Sequence, residues 1–262
     1  MNNIVFLDID GTIVDTTRGL YYPSKKTKHS VKQLQDHGDY VILSSGRPRY
    51  LLDEEIIRLG ADGMILSNGS YIELQGAPLY ERYLDQDELK ELQRFIIKKN
   101  AMCLYEKQES LLFQGNSKLL NEFSKLWNME LVYEERSPNK DDQVYKLSVS
   151  FPDKESSDLF ISEFKDRFDI RTQSNHIAYD VGPRFISKGK AVEKILNELR
   201  IDRINAYAFG NGINDLEMLQ SVEHPFAMKN SEAELLNEID VVVDDVVNDG
   251  VYKKLRELAL IN

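Results

Sequence analysis

Two aspartates stand two positions apart in the segment 8–12, Asp-Ile-Asp-Gly-Thr, directly after a short apolar run. In an extended chain alternate residues point the same way, so Asp8 and Asp10 are expected on one side of the backbone. Clustered carboxylates repel one another and attract a hard divalent cation. The alternative is an Asx turn in which Asp10 caps the loop. An EF-hand loop is excluded because residues 12–14 (Thr-Ile-Val) break the alternation of acidic ligands.

Three other polar segments have side chains suited to binding phosphate or a cation. In segment 44–48, Ser-Ser-Gly-Arg-Pro, a hydroxyl and a glycine amide can donate hydrogen bonds to a phosphoryl oxygen, although a simple polar turn is the alternative. Lys188, at a predicted helix start, could neutralise phosphate and developing negative charge, or could be a solvated lysine. Segment 209–215, Phe-Gly-Asn-Gly-Ile-Asn-Asp, ends in Asp215, which could be a metal ligand or a helix N-terminal charge.

The elements that must position these segments follow a βαβαβ order in the first part of the chain. Short apolar runs at 4–7, 40–43 and 63–66 indicate strands buried on both faces. Residues 30–38 predict a helix that Ser30 could cap, and residues 50–59 predict a second helix that Gly60 would end. This order predicts an α/β fold whose core is a doubly wound, Rossmann-like parallel sheet.

The middle of the chain has a different pattern, which predicts a separate α+β unit inserted into that core. Helices are expected at 85–99, 117–127 and 155–168, and strands at 102–113, 145–151 and 170–181. The alternating segment 145–151 fits a half-exposed antiparallel strand. Helices at 188–199 and 215–220 and strands at 205–209 and 240–243 then resume the first pattern. The predicted domains are therefore a core of residues 1–82 and 184–262 and an insertion of residues 83–183.

Composition limits the possible partners of the chain. The formal net charge of the 262 residues is -11, which disfavours nucleic acid and anionic membrane as partners. A phosphate site must then rely on local positive charge or on a metal.

The single cysteine, Cys103, excludes an internal disulfide and a cysteine-based zinc site, and the four histidines (His29, His37, His176 and His224) are too scattered to form another metal site. No apolar run approaches the ~20 residues of a membrane span, and no signal peptide is recognisable, so we expect a cytoplasmic protein.

Taken together, the four polar segments resemble the haloacid dehalogenase superfamily, and most closely its Cof-type phosphatase branch. The segments 67–69 (Ser-Asn-Gly), 227–230 (Ala-Met-Lys-Asn) and 249–251 (Asp-Gly-Val) fit that branch as well. The resemblance implies a phosphatase that hydrolyses a small phosphorylated metabolite and uses Mg²⁺. It also implies that the insertion is an α/β cap that sets substrate specificity.

The resemblance also implies roles for individual residues. Asp8 would be the nucleophile that forms an aspartyl-phosphate, and Asp10 would be the general acid and base, with its backbone carbonyl facing the metal. The phosphate-binding positions would be Ile9 (through its backbone), Ser45, Gly46, Lys188 and Asn214. The metal-binding positions would be Asp8, Asp10, Asn211 and Asp215. The family pattern usually has Gly-Asp where this chain has Gly210-Asn211, which removes one negative charge from the expected metal site.

Two other functions remain open at this point. A phosphosugar mutase would use the same aspartyl chemistry, and a non-catalytic phosphoester-binding module is suggested by Asn211. The sequence does not distinguish sugar phosphates, nucleotides and phosphorylated cofactors as substrates.

Overall fold

The apolar run that ends at Asp8 forms a strand whose five residues are all buried. The computed structural model describes residues 2–126, 131–172 and 177–262. Numbered along the chain, the strands are β1 (Ile4–Asp8), β2 (Tyr40–Ser44), β3 (Gly63–Leu66), β4 (Tyr71–Leu74), β5 (Ala77–Glu81), β6 (Met102–Glu106), β7 (Leu111–Gly115), β8 (Glu134–Glu135), β9 (Lys146–Ser150), β10 (Phe168–Thr172), β11 (Ala178–Pro183), β12 (Ala206–Gly210), β13 (His224–Met228) and β14 (Val242–Val243). The helices are α1 (Lys25–Asp36), α2 (Glu54–Ile57), α3 (Gln86–Lys98), α4 (Ser117–Leu126), α5 (Lys154–Phe164), α6 (Lys188–Leu199), α7 (Leu216–Gln220), α8 (Ala233–Leu236) and α9 (Gly250–Glu257).

The chain divides into two compact units. The first contains residues 1–47, 51–80 and 187–262, and the second contains residues 48–50 and 81–186. In the described part of the first unit, one sheet has the strand order β14-β13-β12-β1-β2-β3-β4-β5. The strands from β14 to β3 pair in parallel, and β4 pairs with β3 in the antiparallel direction. The doubly wound core predicted from the sequence is confirmed.

The parallel pairing brings the carboxyl ends of three central strands to one edge of this sheet. Asp8 at the end of β1 is in register with Ser44 at the end of β2, and Leu7 is in register with Phe209 of β12. In open parallel sheets ligands bind beyond the carboxyl ends of the strands. A ligand of this unit is therefore expected to bind at this edge.

The second unit contains a six-stranded sheet in the order β10-β11-β9-β6-β7-β8 among its described residues. Helices α3 and α5 pack on one face, where Phe95 and Phe160 join Tyr105 of β6 and Val149 of β9 in an apolar core. Helix α4 packs on the other face through a smaller cluster: Met102, Leu104, Phe113 and Leu120. The unit is thus an α+β insertion between β5 and α6.

Helix starts were the least accurate sequence prediction. The first helix was predicted at 30–38 with Ser30 as its cap, but α1 begins at Lys25. Ser24 has the extended backbone that an N-cap needs, and its hydroxyl accepts a hydrogen bond from the Thr27 amide at 3.1 Å. Ser30 lies inside the helix, where its hydroxyl donates to the Lys26 carbonyl.

The helix predicted at 50–59 is also much shorter than expected. Asp53 accepts a hydrogen bond from the Glu55 amide and so starts α2, which ends at Ile57. The preceding residues, Arg49–Leu51, form a single 3-10 turn instead.

The strand predicted as half-exposed at 145–151 is another difference. All five residues of β9 are buried, including its lysine and serines.

The hairpin of β4 and β5 and the strand β13 were not predicted. The predicted helix end at Trp127, residues 173–176 of the predicted strand 170–181, and His176 lie outside the described residues. Within the described ranges, no helix combines the length and apolar character needed to cross a bilayer.

Candidate active site

A buried lysine joins two buried aspartates at the carboxyl edge of the first unit's sheet. Lys188 Nζ lies 2.6 Å from Asp8 Oδ1 and 2.6 Å from Asp215 Oδ1. Asp8 ends β1, Lys188 is the first residue of α6, and Asp215 immediately precedes α7. Ser187 starts α6, because its hydroxyl accepts a hydrogen bond from the Lys190 amide. The local caps and strand ends therefore bring three distant charges together.

The electrostatics of this cluster leave Asp8 in an excess of negative charge. Burial and the neighbouring charge of Asp215 raise the pKa of Asp8 to about 8, although Lys188 opposes both effects. Burial alone would lower the pKa of Lys188, but the charges of Asp215 and Asp8 outweigh it and raise that pKa. An additional cation beside Asp8 would favour its ionised, nucleophilic form.

Asp10 lies in a tight turn after β1 and has a more open environment. The Ile9 carbonyl accepts hydrogen bonds from the amides of Ile13 and Val14, and this closes the turn. Gly11 has a φ of +84°, which favours glycine. The side chain of Asp10 is 42% exposed, and its Oδ1 lies 2.5 Å from Arg47 Nη2. The side chain of Asp10 is therefore open to solvent on one side and held by Arg47 on the other.

The structure argues against one predicted phosphate donor. The Ile9 amide donates a 3.1 Å hydrogen bond to the Ser44 carbonyl, which extends the pairing of β1 with β2. Because sheet pairing uses this N–H, the Ile9 backbone is not free to bind a phosphoryl oxygen.

Two other predicted phosphate-binding segments meet at Asn68. A Cβ added to Gly46 would come within 3.1 Å of Asn68 Oδ1, and that oxygen accepts a 3.1 Å hydrogen bond from Asn214 Nδ2. Ser45 is buried next to Gly46, and its hydroxyl accepts a hydrogen bond from the Arg47 amide. The residues predicted after β2 and after β12 therefore lie at one place.

The predicted metal ligands have unequal surroundings. Asn211 lies against the turn that holds Asp10, because a Cβ on Gly11 would come within 2.8 Å of Asn211 Oδ1. Asp215 instead uses Oδ1 for Lys188 and Oδ2 for two amides, those of Asn211 (2.9 Å) and Gly212 (3.0 Å). These bonds favour a role for Asp215 in holding Lys188 and the loop, rather than its predicted role as a direct metal ligand.

The remaining donors have the chemistry that Mg²⁺ requires. Mg²⁺ prefers oxygen ligands and is usually held by one or two carboxylates, with several waters retained. The Asp8 carboxylate, the Asp10 main-chain carbonyl and the Asn211 side-chain carbonyl are oxygen donors of this kind. In the part of the chain that the structure describes, no group of three or more His, Cys, Asp or Glu side chains is arranged to hold a metal ion.

Three residues of this region received no role from the sequence. Arg47 pairs with Asp10, Asn68 accepts a hydrogen bond from Asn214 and lies beside Gly46, and Asn230 Nδ2 donates a 3.0 Å hydrogen bond to the Gly11 carbonyl. All three belong to segments that fit the family resemblance. Their place in those segments is the sequence signal that could have identified them. The spacing of residues along the chain does not predict which groups they contact.

The fold and the site define a haloacid dehalogenase-type phosphatase, and comparison with known families supports this class. The model of the haloacid dehalogenase-like hydrolases matches residues 5–255. The chain therefore belongs to this family, as predicted from its motifs, and it is a phosphatase of the Cof-type branch.

Individual relatives match along nearly the whole chain. The putative phosphatase YkrA of Bacillus subtilis is 26% identical, with 99% of each chain covered. The 5-amino-6-(5-phospho-D-ribitylamino)uracil phosphatase YcsE of the same organism is 23% identical, with 98% of this chain and 96% of YcsE covered. A solved structure of a hypothetical protein from Geobacillus kaustophilus superposes with a TM-score of 0.90 at 26% identity, with both chains fully covered.

Proposed function

We propose that this chain hydrolyses a small phosphomonoester through an aspartyl-phosphate on Asp8, with Mg²⁺ as its cofactor. The observation that carries the proposal is the position of Asp8. It is buried at the end of β1, and a fully buried lysine holds one of its oxygens at 2.6 Å. A fixed and poorly solvated carboxylate is an effective nucleophile once its charge is supported.

In the first step a carboxylate oxygen of Asp8 bonds to phosphorus, and the bond from phosphorus to the alcohol oxygen breaks. Asp10 is two residues further along the same turn, and it gives a proton to the departing alcohol oxygen. In the second step water attacks the phosphorus of the aspartyl-phosphate, Asp10 takes a proton from that water, and Asp8 and inorganic phosphate are released. The partial exposure of Asp10 suits this proton exchange.

The phosphoryl group carries negative charge throughout, so the site must supply compensating positive charge. Lys188 and the polar groups of Ser45, Gly46 and Asn214 are assigned to its oxygens. When bound by Asp8, the Asp10 carbonyl and Asn211, Mg²⁺ would reduce the repulsion between the carboxylate and the phosphate. This local charge would offset the net charge of -11 of the chain.

The substrate is a small phosphorylated metabolite of the cytoplasm, and the inserted unit of residues 83–183 is assigned the role of a cap that selects it. The name of the relative YcsE states a substrate with a phosphorylated ribityl group. A phosphorylated polyol or sugar is therefore the first class of substrate to test.

The test measures phosphate release from a panel of phosphomonoesters with and without Mg²⁺. Asp8→Asn should abolish release, and Asp10→Asn should accumulate a phosphorylated protein that intact-mass measurement detects after an acid quench. Incubation with hexose 1-phosphates separates two activities, since a hydrolase yields free phosphate and a mutase yields an isomerised sugar phosphate. Near wild-type release by Asp8→Asn would refute the covalent mechanism.

A further inference from the structure

A buried serine beside Asp8 has a hydroxyl group that its surroundings leave unsatisfied. Ser44 ends β2 and is 0% exposed, yet its Oγ has no hydrogen-bond partner among the residues that the structure describes. Such a group lowers stability, because folding removes its hydration without replacing it. Buried polar groups are nearly always paired in native proteins, so an unpaired one is a candidate for a functional role.

The position of Ser44 in the sheet shows which group its hydroxyl can serve. Ser44 is the register partner of Asp8 on β1 and of Ile65 on β3. Neighbouring strands lie about 4.8 Å apart, and paired residues point to the same face of the sheet. Because Ile65 is apolar, the Asp8 carboxylate is the polar side chain next to the Ser44 hydroxyl in this row of the sheet.

The packing of the sheet shows that this face is the one that α6 covers. Phe6 lies two residues before Asp8, and it belongs to the apolar core between the sheet and α6. Ile42 lies two residues before Ser44 and belongs to the same core. Alternate residues of a strand share a face. Lys188, the first residue of α6, binds Asp8 from this side. The Ser44 hydroxyl and the lysine therefore lie on the same side of the sheet as the nucleophile.

Unpaired polar atoms are concentrated around this point. In the described residues four buried side-chain atoms lack a hydrogen-bond partner, and besides Ser44 Oγ they include Thr12 Oγ1 and Asn230 Oδ1. Thr12 lies in the turn after Asp8, and Asn230 donates a hydrogen bond to the Gly11 carbonyl of that turn. Three of the four atoms therefore surround the nucleophile, which favours a role in the reaction over a role in the fold.

We propose that the Ser44 hydroxyl donates a hydrogen bond to the Asp8 carboxylate as that group leaves phosphorus, and so speeds hydrolysis of the aspartyl-phosphate. This inference rests on the proposed function. In the second step the water oxygen bonds to phosphorus, the bond from phosphorus to the Asp8 oxygen breaks, and its electron pair returns to the carboxylate. Negative charge therefore grows on Asp8, and a donor beside it stabilises the transition state.

The charge on Asp8 changes in the opposite direction in the first step. There the carboxylate gives electron density to phosphorus and loses charge, so a hydrogen bond to it does not favour attack. Loss of the Ser44 hydroxyl should therefore slow the second step and spare the first. A loss of packing or of local structure has no reason to separate the two steps in this way.

The test is Ser44→Ala, which removes the hydroxyl and fits within the same volume. At saturating substrate the ratio of phosphorylated to unphosphorylated protein equals the ratio of the rate constants of the two steps. This ratio, measured by intact mass after an acid quench, should rise about tenfold, as expected for loss of a hydrogen bond to a charged group. The value of kcat should fall, whereas kcat/KM, which reports the first step, should not.

Stability provides the second readout. Because the Ser44 hydroxyl has no partner to lose, the urea midpoint of Ser44→Ala should equal or exceed that of wild type. Ser30→Ala is the matched control, since Ser30 is also buried but uses its hydroxyl within α1, where it donates to the Lys26 carbonyl. The control should change neither the phosphorylated fraction nor kcat.

The outcomes separate this inference from the function on which it rests. An unchanged phosphorylated fraction in Ser44→Ala, or a fall in kcat/KM together with a lower urea midpoint, would overturn the role of Ser44 alone. If phosphate is released but neither wild type nor Asp10→Asn is ever phosphorylated, the covalent mechanism fails and the inference with it. If no phosphomonoester, p-nitrophenyl phosphate included, is hydrolysed, the proposed function itself fails.

Discussion

Lys188 Nζ lies 2.6 Å from Asp8 Oδ1, although the two residues are 180 positions apart in the chain. Both side chains are almost completely buried, and Asp215 holds the lysine from its other side. Two buried carboxylates therefore share one buried ammonium group. The arrangement fixes the nucleophile in place, but it leaves one negative charge of the cluster without a fixed partner.

The first prediction is that Asp8→Asn inactivates the protein and also stabilises it in metal-free buffer. The pKa of Asp8 is raised from 3.8 to about 8 in the folded state. The stability contributed by its protonated form is complete below pH 3.8 and is lost as the pH rises toward 8. The neutral amide avoids this loss, so at pH 8 the free energy of unfolding should rise by about 1–3 kcal/mol. Urea unfolding in EDTA measures it.

The control for this prediction is Asp10→Asn. Asp10 is 42% exposed and pairs with Arg47, so its replacement should also reduce turnover but should not raise the free energy of unfolding. The difference in unfolding free energy between Asp8→Asn and wild type should be larger at pH 8 than at pH 4. If it is not, the electrostatic description of the cluster is wrong.

The second prediction concerns Lys188→Met, which leaves Asp8 and Asp215 buried without their shared cation. Removing one partner of a buried charge pair typically costs about 3–5 kcal/mol of stability. Phosphate release should fall by about a hundredfold or more, because the ammonium also supports charge on the transferring group. Lys190→Met, an exposed position in the same helix, should change the unfolding free energy by less than about 0.5 kcal/mol. Similar losses in the two variants would refute the assigned role.

The core was predictable because its strands are short, continuous apolar runs with polar residues directly after them. That pattern reports burial on both faces, which parallel sheets require, and it located β1, β2 and β3 within a residue or two. Helix starts were less predictable, because capping depends on backbone conformation. Both Ser24 and Ser30 are chemically suitable caps, but only Ser24 has the extended backbone that a cap requires.

The site was predictable to the extent that strand ends determine it. Asp8 and Lys188 were identified from motifs, and the sheet brings them together. The spacing of residues could not show that Lys188 and two backbone amides would occupy both carboxylate oxygens of Asp215. Nor could it show that Asn68 would lie beside Gly46 and accept a hydrogen bond from Asn214. These contacts depend on loop conformations. The burial of Lys146 was also missed, since alternation of polar and apolar residues in β9 predicts one exposed face, whereas the structure has both faces buried.

The third prediction compares two glycines that have similar backbone conformations but different surroundings. Gly11 has a φ of +84° and Gly19 a φ of +76°, so alanine is strained at either position. A Cβ at Gly11 would come within 2.1 Å of the Asn211 amide nitrogen, whereas a Cβ at Gly19 meets no atom within 4 Å. Gly19→Ala should therefore cost only about 1–2 kcal/mol of stability. Gly11→Ala should cost more and should also abolish phosphate release.

Urea unfolding and phosphate release of both glycine variants test this comparison. Equal losses of stability, with activity retained in Gly11→Ala, would show that the turn at Asp10 does not depend on its contact with Asn211.

The fourth prediction is that Asn211→Asp tightens the binding of Mg²⁺. Asn211 lies against the Asp10 turn, and an aspartate there would restore the charge that the family pattern usually has. A charged ligand beside a divalent ion is worth about 1–3 kcal/mol after screening, or roughly 5- to 150-fold in affinity. The half-saturating Mg²⁺ concentration for phosphate release should fall accordingly. Isothermal titration of the protein with Mg²⁺ provides a second readout that does not depend on turnover.

The opposing effect in Asn211→Asp is repulsion from Asp8, whose pKa is already raised by burial and by Asp215. Without metal this repulsion should lower the free energy of unfolding, and with saturating Mg²⁺ the variant should recover stability by more than wild type does. Asn197→Asp adds the same charge at an exposed position of α6 and should show neither effect. If Asn211→Asp leaves the half-saturating concentration unchanged or raises it, Asn211 is not a ligand. Asp215 would then have to exchange its bond to Lys188 for the metal.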